Sequence, residues 1–316
     1  MKLLMENWRK YVNEGSKNLD QWMDASLDSL PNPPISDLDP SAGPDIVGGL
    51  KDGDPGDDKV VNFDLQGNVS FDDLKASQNE VGMAQSLRNT MAGVNGMKWD
   101  AIDWGDPKWL IKAMGTSGYV FNFKSPIVIA NTRDGAVVLD GHHRWSQATM
   151  INPSGKINVV GFTAPITADD MLQALHLGIY AVAGQAKTKK AEGGNLFGAT
   201  AQDIKGYMDG SQRKVNPETL QEDPNGVAPY VAAFMKVNNI SDVEKGTVGA
   251  IKYAMAAIKT MASRIVPGAP SRDKMPQTDP KVNPKATPVA VANKLATGTV
   301  NYSKPIKRGA TKKAAE

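Results

Sequence analysis

The sequence predicts an α+β chain, a small mixed sheet with its own helices followed by a helical region, with flexible segments at both ends. Three observations predict it. Between about Lys59 and Ala164, β-rich runs and helical stretches follow one another as strand, hairpin, helix and strand, the order of a compact mixed sheet. From Thr167 to about Val266 the apolar spacing is helical. Residues 31–58, rich in Pro, Gly and Asp, and 267–316, rich in Pro, Lys, Ala and Thr, hold too little apolar surface to pack. The expected organisation is amphipathic N-terminal helices at 1–30, an acidic Pro/Gly linker at 31–58, the sheet domain at 59–164, a helical region at 165–266 and a basic disordered tail at 267–316.

At the start, Leu3, Leu4, Trp8, Tyr11 and Val12 fall at helical spacing, and Ser16 caps a second helix that presents Leu19, Trp22, Met23, Leu27 and Leu30. Pro31-Asn32-Pro33-Pro34 stops it. Lys59–Phe63 reads as a strand, with Asn68-Val69-Ser70 pairing to it across a turn at Gly67. Glu80–Met91 reads as a helix. Asp106-Pro107 opens another, the aspartate as cap and the proline at the first helical position, where its missing amide hydrogen does no harm. Pro126–Ala130 and Ala136–Leu139 are β-rich runs joined by Asn131–Gly135 as a hairpin. A helix follows from about His142 to Met150, then a strand at Ile157–Phe162. Thr167 caps a helix reaching about Val182, Val227–Val237 is a shorter one, and Gln185–Gly198 and Ser211–Gly226 read as polar loops. Ser241-Asp242-Val243-Glu244 has capping-box spacing and leads a helix with Val248, Ile251, Met255, Ile258 and Met261 on one face.

Composition narrows the chemistry. With no cysteine in 316 residues there is no disulfide framework, no thiol nucleophile and no thiolate zinc site. No apolar run approaches the ~20 residues that span a bilayer, and the start lacks a signal-peptide pattern, so a cytoplasmic chain with no membrane partner is expected. The net charge of +2 is unevenly spread: acidic residues outnumber basic ones about ten to one between Asp20 and Asp58, while basic residues exceed acidic ones by about seven beyond Arg264.

One segment carries chemistry. A buried strand ends in Asp140, Gly141 permits a tight turn, and a helix starts at once with His142-His143-Arg144. That arrangement exposes the unpaired amides of the first helical turn, where the helix dipole favours an anion such as a phosphate. Arg144 adds a planar fork of donors suited to phosphate oxygens, and the imidazoles add groups that donate, accept or carry a proton near neutral pH. Two of the chain's three histidines stand here; the third, His176, lies mid-way along an apolar stretch and reads as a satisfied core residue. Trp99, Trp104 and Trp109 are close in sequence and read as core or rim packing ahead of an aromatic platform for bases.

Leu139-Asp140-Gly141-His142-His143-Arg144-Trp145 resembles the signature turn of the ParB/sulfiredoxin superfamily, and Asp73-Leu74-Lys75-Ala76-Ser77-Gln78-Asn79-Glu80-Val81 is similar to the family's upstream loop. The resemblance covers about a third of the chain. It implies a small α/β fold holding a nucleotide or phosphodiester against the turn. It also implies membership of a group that includes CTP-hydrolysing centromere-binding proteins, ATP-using sulfinic-acid reductases, free-serine kinases and nuclease-like members common in phages. The reductase is excluded, since its cysteine position is His142. The centromere type carries Gly-Glu-Arg-Arg where this chain has Gly141-His142-His143-Arg144, and the region after Thr167 has no clear helix-turn-helix.

The expectation is therefore a ParB-like nuclease or phosphoryl-processing protein. Arg144 serves as phosphate clamp, with His142, Gly141, Ser77 and Gln78 as further phosphate or nucleotide contacts. His143 acts as general acid or base, and Asp140 orients a histidine, holds Mg²⁺ or accepts turn amides. Glu80 activates a hydroxyl or holds a metal if its loop folds over the turn. Expected cofactors are Mg²⁺ or Mn²⁺ and a nucleoside triphosphate; expected partners are DNA or nucleotide, with a protein partner for the N-terminal helix. The alternatives are a free-serine-kinase-like phosphotransferase and a non-catalytic DNA-binding or virion-associated protein. A phage-encoded chain would work in the host cytoplasm or on the virion.

Overall fold

The computed structural model describes residues 65–92, 105–123, 126–132, 135–163, 168, 190–269 and 271–272. The expected N-terminal helices, the acidic linker, the Lys59–Phe63 strand, the Thr167–Val182 helix except Ala168, and the tail beyond Arg272 lie outside them.

Among the described residues six strands form one mixed sheet: β1 (Leu65–Ser70), β2 (Leu74–Ala76), β3 (Val120–Phe121), β4 (Ile127–Thr132), β5 (Gly135–Asp140) and β6 (Lys156–Thr163). The order is β1-β6-β4-β5-β2, with β3 pairing the start of β6 ahead of β4. β4 and β5 are the expected antiparallel hairpin. Both read as unbroken apolar runs because both faces are covered. Ile129, Ala136 and Val138 enter the main core, while Val128, Ala130, Val137 and Leu139 are buried on the opposite face. Gly67 is not a turn. It sits inside β1 opposite Val159, since antiparallel pairing with β6 decides this strand and a local turn signal cannot report it.

β1 and β2 end the path on opposite sides, yet only the 3₁₀ turn Phe71–Asp73 separates them in sequence, so the sheet curls to bring its edges together. Arg264 fastens that link, donating to the Phe71 carbonyl (2.9 Å) and pairing with Asp72. The chain around it continues the sheet past β2: Ala76 N–H donates to Arg264 O (3.0 Å) and Val266 N–H to Ala76 O (2.9 Å).

The helices are α1 (Met83–Met91), α2 (Pro107–Gly115), α3 (His142–Ile151), α4 (Ala201–Asp209), α5 (Pro229–Val237) and α6 (Val243–Ala262). Asp106 caps α2 as expected, accepting from Lys108 N–H (3.0 Å). α1 starts at Met83 rather than Glu80, because residues 77–82 are drawn into a loop described below. Sequence reading left α4 unassigned, although Thr200 and Asp203 form a reciprocal capping box there. At α6 the cap is Asp242, accepting from Lys245 N–H (2.9 Å), and not Ser241. Its buried stripe is Gly246, Ala250, Ile251, Ala254, Ala257, Ile258 and Met261, whereas Val248 and Met255 are exposed.

The boundary expected near residue 164 does not divide the core. Trp145, Ile127 and Leu110 belong to the same buried cluster as Tyr230, Ala254 and Ile258. The helical region also secures the C-terminal end of α3, whose last carbonyls have no partners within the helix. Tyr230 Oη donates to Met150 O (2.6 Å) and Tyr253 Oη to Ile151 O (3.2 Å). Burial holds the Tyr230 phenol well above its ordinary range and pushes Tyr253 up to about 12, so both remain donors. Just beyond, Asn152 Nδ2 donates to Ala113 O and Thr116 O at the end of α2, each 2.7 Å.

Tyr230→Phe leaves the buried Met150 carbonyl without this donor and is expected to cost about 1–3 kcal/mol. If the two regions share one core, urea unfolding of the variant followed by fluorescence and by circular dichroism will remain one coincident transition at a lower midpoint.

Candidate functional site

β5 and α3 meet at Gly141 with no residue to spare. Its φ of 98° is left-handed, and a Cβ there would overlap the Ile127 side chain and stand 3.0 Å from Arg144 Nη2. The first helical bond forms at once, Trp145 N–H to Gly141 O (2.9 Å), and no side chain of the described residues caps the helix. The first-turn amides and the positive end of the dipole are thereby left for another acceptor.

Arg144 lies at this end with its side chain only 7% exposed. Nη2 donates to Asp140 Oδ2 (2.9 Å), and Nε is buried with no partner among the described residues. Asp140 thus steadies the arginine through an i,i+4 pair, a role the expectations (a histidine partner, a magnesium ligand or an acceptor of turn amides) did not include.

The two histidines do different jobs, as their adjacency on a helix requires. His142 is buried, and its Nε2 accepts from Ser77 N–H (3.2 Å). A main-chain amide can only donate, so this imidazole carries its proton on Nδ1. Ser77 Oγ donates to Val138 O (2.7 Å), anchoring the same residue to β5. Burial, with a smaller contribution from the charge of Arg272, pushes the His142 pKa down to about 3. His142 is therefore a neutral pin for the loop, and Ser77, with both its donors engaged inside the protein, is part of that pin; neither side chain is placed as the expected phosphate or nucleotide contact. Gln78 is buried beside it.

His143 is half-buried, and its Nδ1 lies 3.0 Å from Ser86 Oγ on α1. Ser86 Oγ is 3.0 Å from Ser146 Oγ, which donates to the His143 carbonyl (3.0 Å). The Cε1–Nε2 edge of the ring faces Gly82, where a Cβ would stand 3.1 Å from Cε1 and 3.5 Å from Nε2. Glycine at 82 thus gives the imidazole its space.

Residues 77–82 form a loop from β2 to α1 that lies against the start of α3, Ser77 meeting His142 and Gly82 meeting His143. Asn195 supports it, accepting from Val81 N–H (3.3 Å) and donating to Asn79 O (3.0 Å). Met83 N–H and Ala84 N–H donate to Gly194 O (2.9 Å) and Glu192 O (3.0 Å), so main-chain carbonyls cap α1. Glu80 Oε2 accepts from Arg272 N–H (3.0 Å). The expected tail therefore begins seated on this loop rather than disordered from Pro267.

Ser86, Ser146, Asn195 and Arg272 were missed from sequence. Ser146 had a local signal, a hydroxyl at i+3 from a helical histidine. The others are brought in by tertiary packing alone. Trp109 packs edge-on against Tyr119 and Phe121 and donates to Tyr119 Oη (3.0 Å), so it is rim packing; Trp99, Trp104 and His176 lie outside the described residues. A cleft of about 570 Å³, lined by Asn68, Asp72, Lys75, Asn131 and Val159 among others, opens at the opposite end of β5 and contains none of the site residues. Among the described residues no group of three or more His, Asp or Glu side chains converges as a metal cluster, and no helix is long and apolar enough to cross a membrane.

Compared with family models, curated proteins and solved structures, the chain matches none.

His142 makes stability depend on pH with a definite sign. Its folded pKa lies below the unfolded value of 6.5, so the unfolded chain binds the extra proton. The stabilisation is complete above about 6.5 and falls as the pH drops toward 3, by at most about 1.4 kcal/mol per unit from this group. His142→Gln keeps an acceptor for Ser77 N–H and is expected to remove close to one proton from the slope of unfolding free energy against pH. At Gly141, alanine is expected to lower the urea midpoint by the equivalent of about 2 kcal/mol or more, through φ strain and overlap with Ile127.

Proposed function

We propose that the turn from Asp140 to Arg144 binds a phosphoryl group and that the chain is a phosphodiester-processing protein of the ParB/sulfiredoxin type, nuclease-like in its chemistry. The observation that carries this reading is Arg144: a buried guanidinium held by Asp140 at a helix start, where among the described residues its Nε has no partner and no side chain caps the helix. Asp140 already pairs the charge, so the cost that remains is that of a buried Nε–H and first-turn amides awaiting acceptors. A phosphate supplies the charge and the acceptor oxygens in one group.

In this reading the first-turn amides of α3 and Arg144 hold the phosphate. His143 moves the proton of the attacking water or hydroxyl. His142 and Ser77 keep the loop in place, and Glu80, fixed by Arg272 N–H, contributes a carboxylate at its rim. Asp140 and Glu80 offer hard oxygen donors that suit Mg²⁺ or Mn²⁺. Magnesium sites with one or two protein carboxylates take their remaining oxygens from substrate phosphate and water, and the ion would neutralise phosphate charge. The basic segment beyond Arg264 would add non-specific affinity for DNA by counterion release.

The test incubates plasmid and single-stranded DNA with the purified chain and Mg²⁺ or Mn²⁺. Cleavage by the wild type is expected, reduced about 10²–10⁴-fold in His143→Ala and also lost in Arg144→Ala. Cleavage indifferent to both substitutions would sink the reading. Absence of cleavage together with nucleotide-dependent phosphorylation of free serine would replace it with the kinase alternative.

A further inference from the structure

We propose that Ser86 and Ser146 are positioning residues that hold His143 in the Nδ1–H tautomer, so that Nε2 is the ring atom that takes up a proton. The geometry stands by itself; only its catalytic meaning rests on the phosphoryl-processing reading.

The assignment follows from counting hydrogens. Three short contacts run in series: His143 Nδ1 to Ser86 Oγ, Ser86 Oγ to Ser146 Oγ, and Ser146 Oγ to His143 O, each 3.0 Å. Each needs one hydrogen. A carbonyl only accepts, so the last contact uses the Ser146 hydroxyl proton. The contact between the serines then uses the Ser86 proton, and the remaining one can be made only by a hydrogen on His143 Nδ1. Any other distribution leaves one contact with no hydrogen. Ser86 and Ser146 are both fully buried, so water does not compete for these bonds. The carbonyl at the end of the series belongs to His143 itself, and the ring is thereby referenced to its own backbone.

A ring fixed this way presents a lone pair at Nε2, on the edge that faces Gly82. It enters a reaction as a proton acceptor. Its partner must then be a group that loses a proton, such as a water or a hydroxyl attacking phosphorus, and not a leaving group awaiting protonation in the first step. The serines do here what an orienting carboxylate does in a hydrolase triad, without adding negative charge near a bound phosphate.

The test is ¹⁵N NMR of imidazole-labelled protein, which has only three histidines to assign, with His143→Gln identifying the peaks. In the wild type at a pH where the ring is neutral, Nδ1 of His143 is expected to show a pyrrole-type shift and Nε2 a pyridine-type shift. Ser146→Ala frees the Ser86 proton to turn toward Nδ1, so the neutral population should move to predominantly Nε2–H. Ser86→Ala should give a mixture. A neutral wild-type His143 already protonated on Nε2 overturns the proposal, and so does a Ser146→Ala tautomer unchanged from wild type in a protein with native near-ultraviolet dichroism. Where DNA cleavage is present, Ser146→Ala should lower kcat about tenfold or more with KM little changed. Should the tautomers be as stated while no DNA is cut, the positioning inference stands and the nuclease reading alone falls.

Discussion

A strand that ends and a helix that begins around a single left-handed glycine constrain most of what surrounds them. Because Gly141 alone joins β5 to α3, the helix axis is aimed by the last residue of the strand, and Asp140 and Arg144 fall one turn apart on either side of it. Ile127 fills the space a side chain would need, so the turn is as much a packing contact with β4 as a conformation. The far end of α3 is equally determined, its last carbonyls taken by Tyr230 and Tyr253 and the next residue pinned to α2. Among the described residues the helix is thus capped by side chains at its C-terminus and not at its N-terminus, where the arginine lies.

Burial then separates two chemically identical side chains. His142 is enclosed and serves as a neutral acceptor for a main-chain amide, a contact that positive charge would break. His143, one residue on, points toward α1 and meets hydroxyls instead. The roof over the turn is fastened by main-chain groups of residues 192–194, by Asn195 and by the amide of Arg272, which donates to the Glu80 carboxylate.

The parts legible in the sequence are those whose determinants are contiguous. Asp140-Gly141-His142 states a strand end, a turn and a helix start in three residues, and Asp106-Pro107 states a helix start in two. The β4–β5 hairpin was readable because two apolar runs flank a polar turn. Gly67 misled because its φ freedom goes unused inside β1, where pairing with β6 governs. Val248 and Met255 misled because hydrophobicity picks the larger residues, while α6 buries Ala250, Ala254 and Ala257. Ser86, Asn195 and Arg272 reach the site from separate parts of the chain, and no local pattern announces a contact made at such distance.

That dispersion has a consequence for how the protein comes into being. The bond from Arg272 to Glu80 spans 192 residues, and the strand-like extension at Arg264–Val266 reaches back to Ala76. Contacts of such separation form late, since the entropy of closing the intervening chain precedes any gain from them. During synthesis the turn, both histidines and the arginine emerge well before the segment that completes their roof.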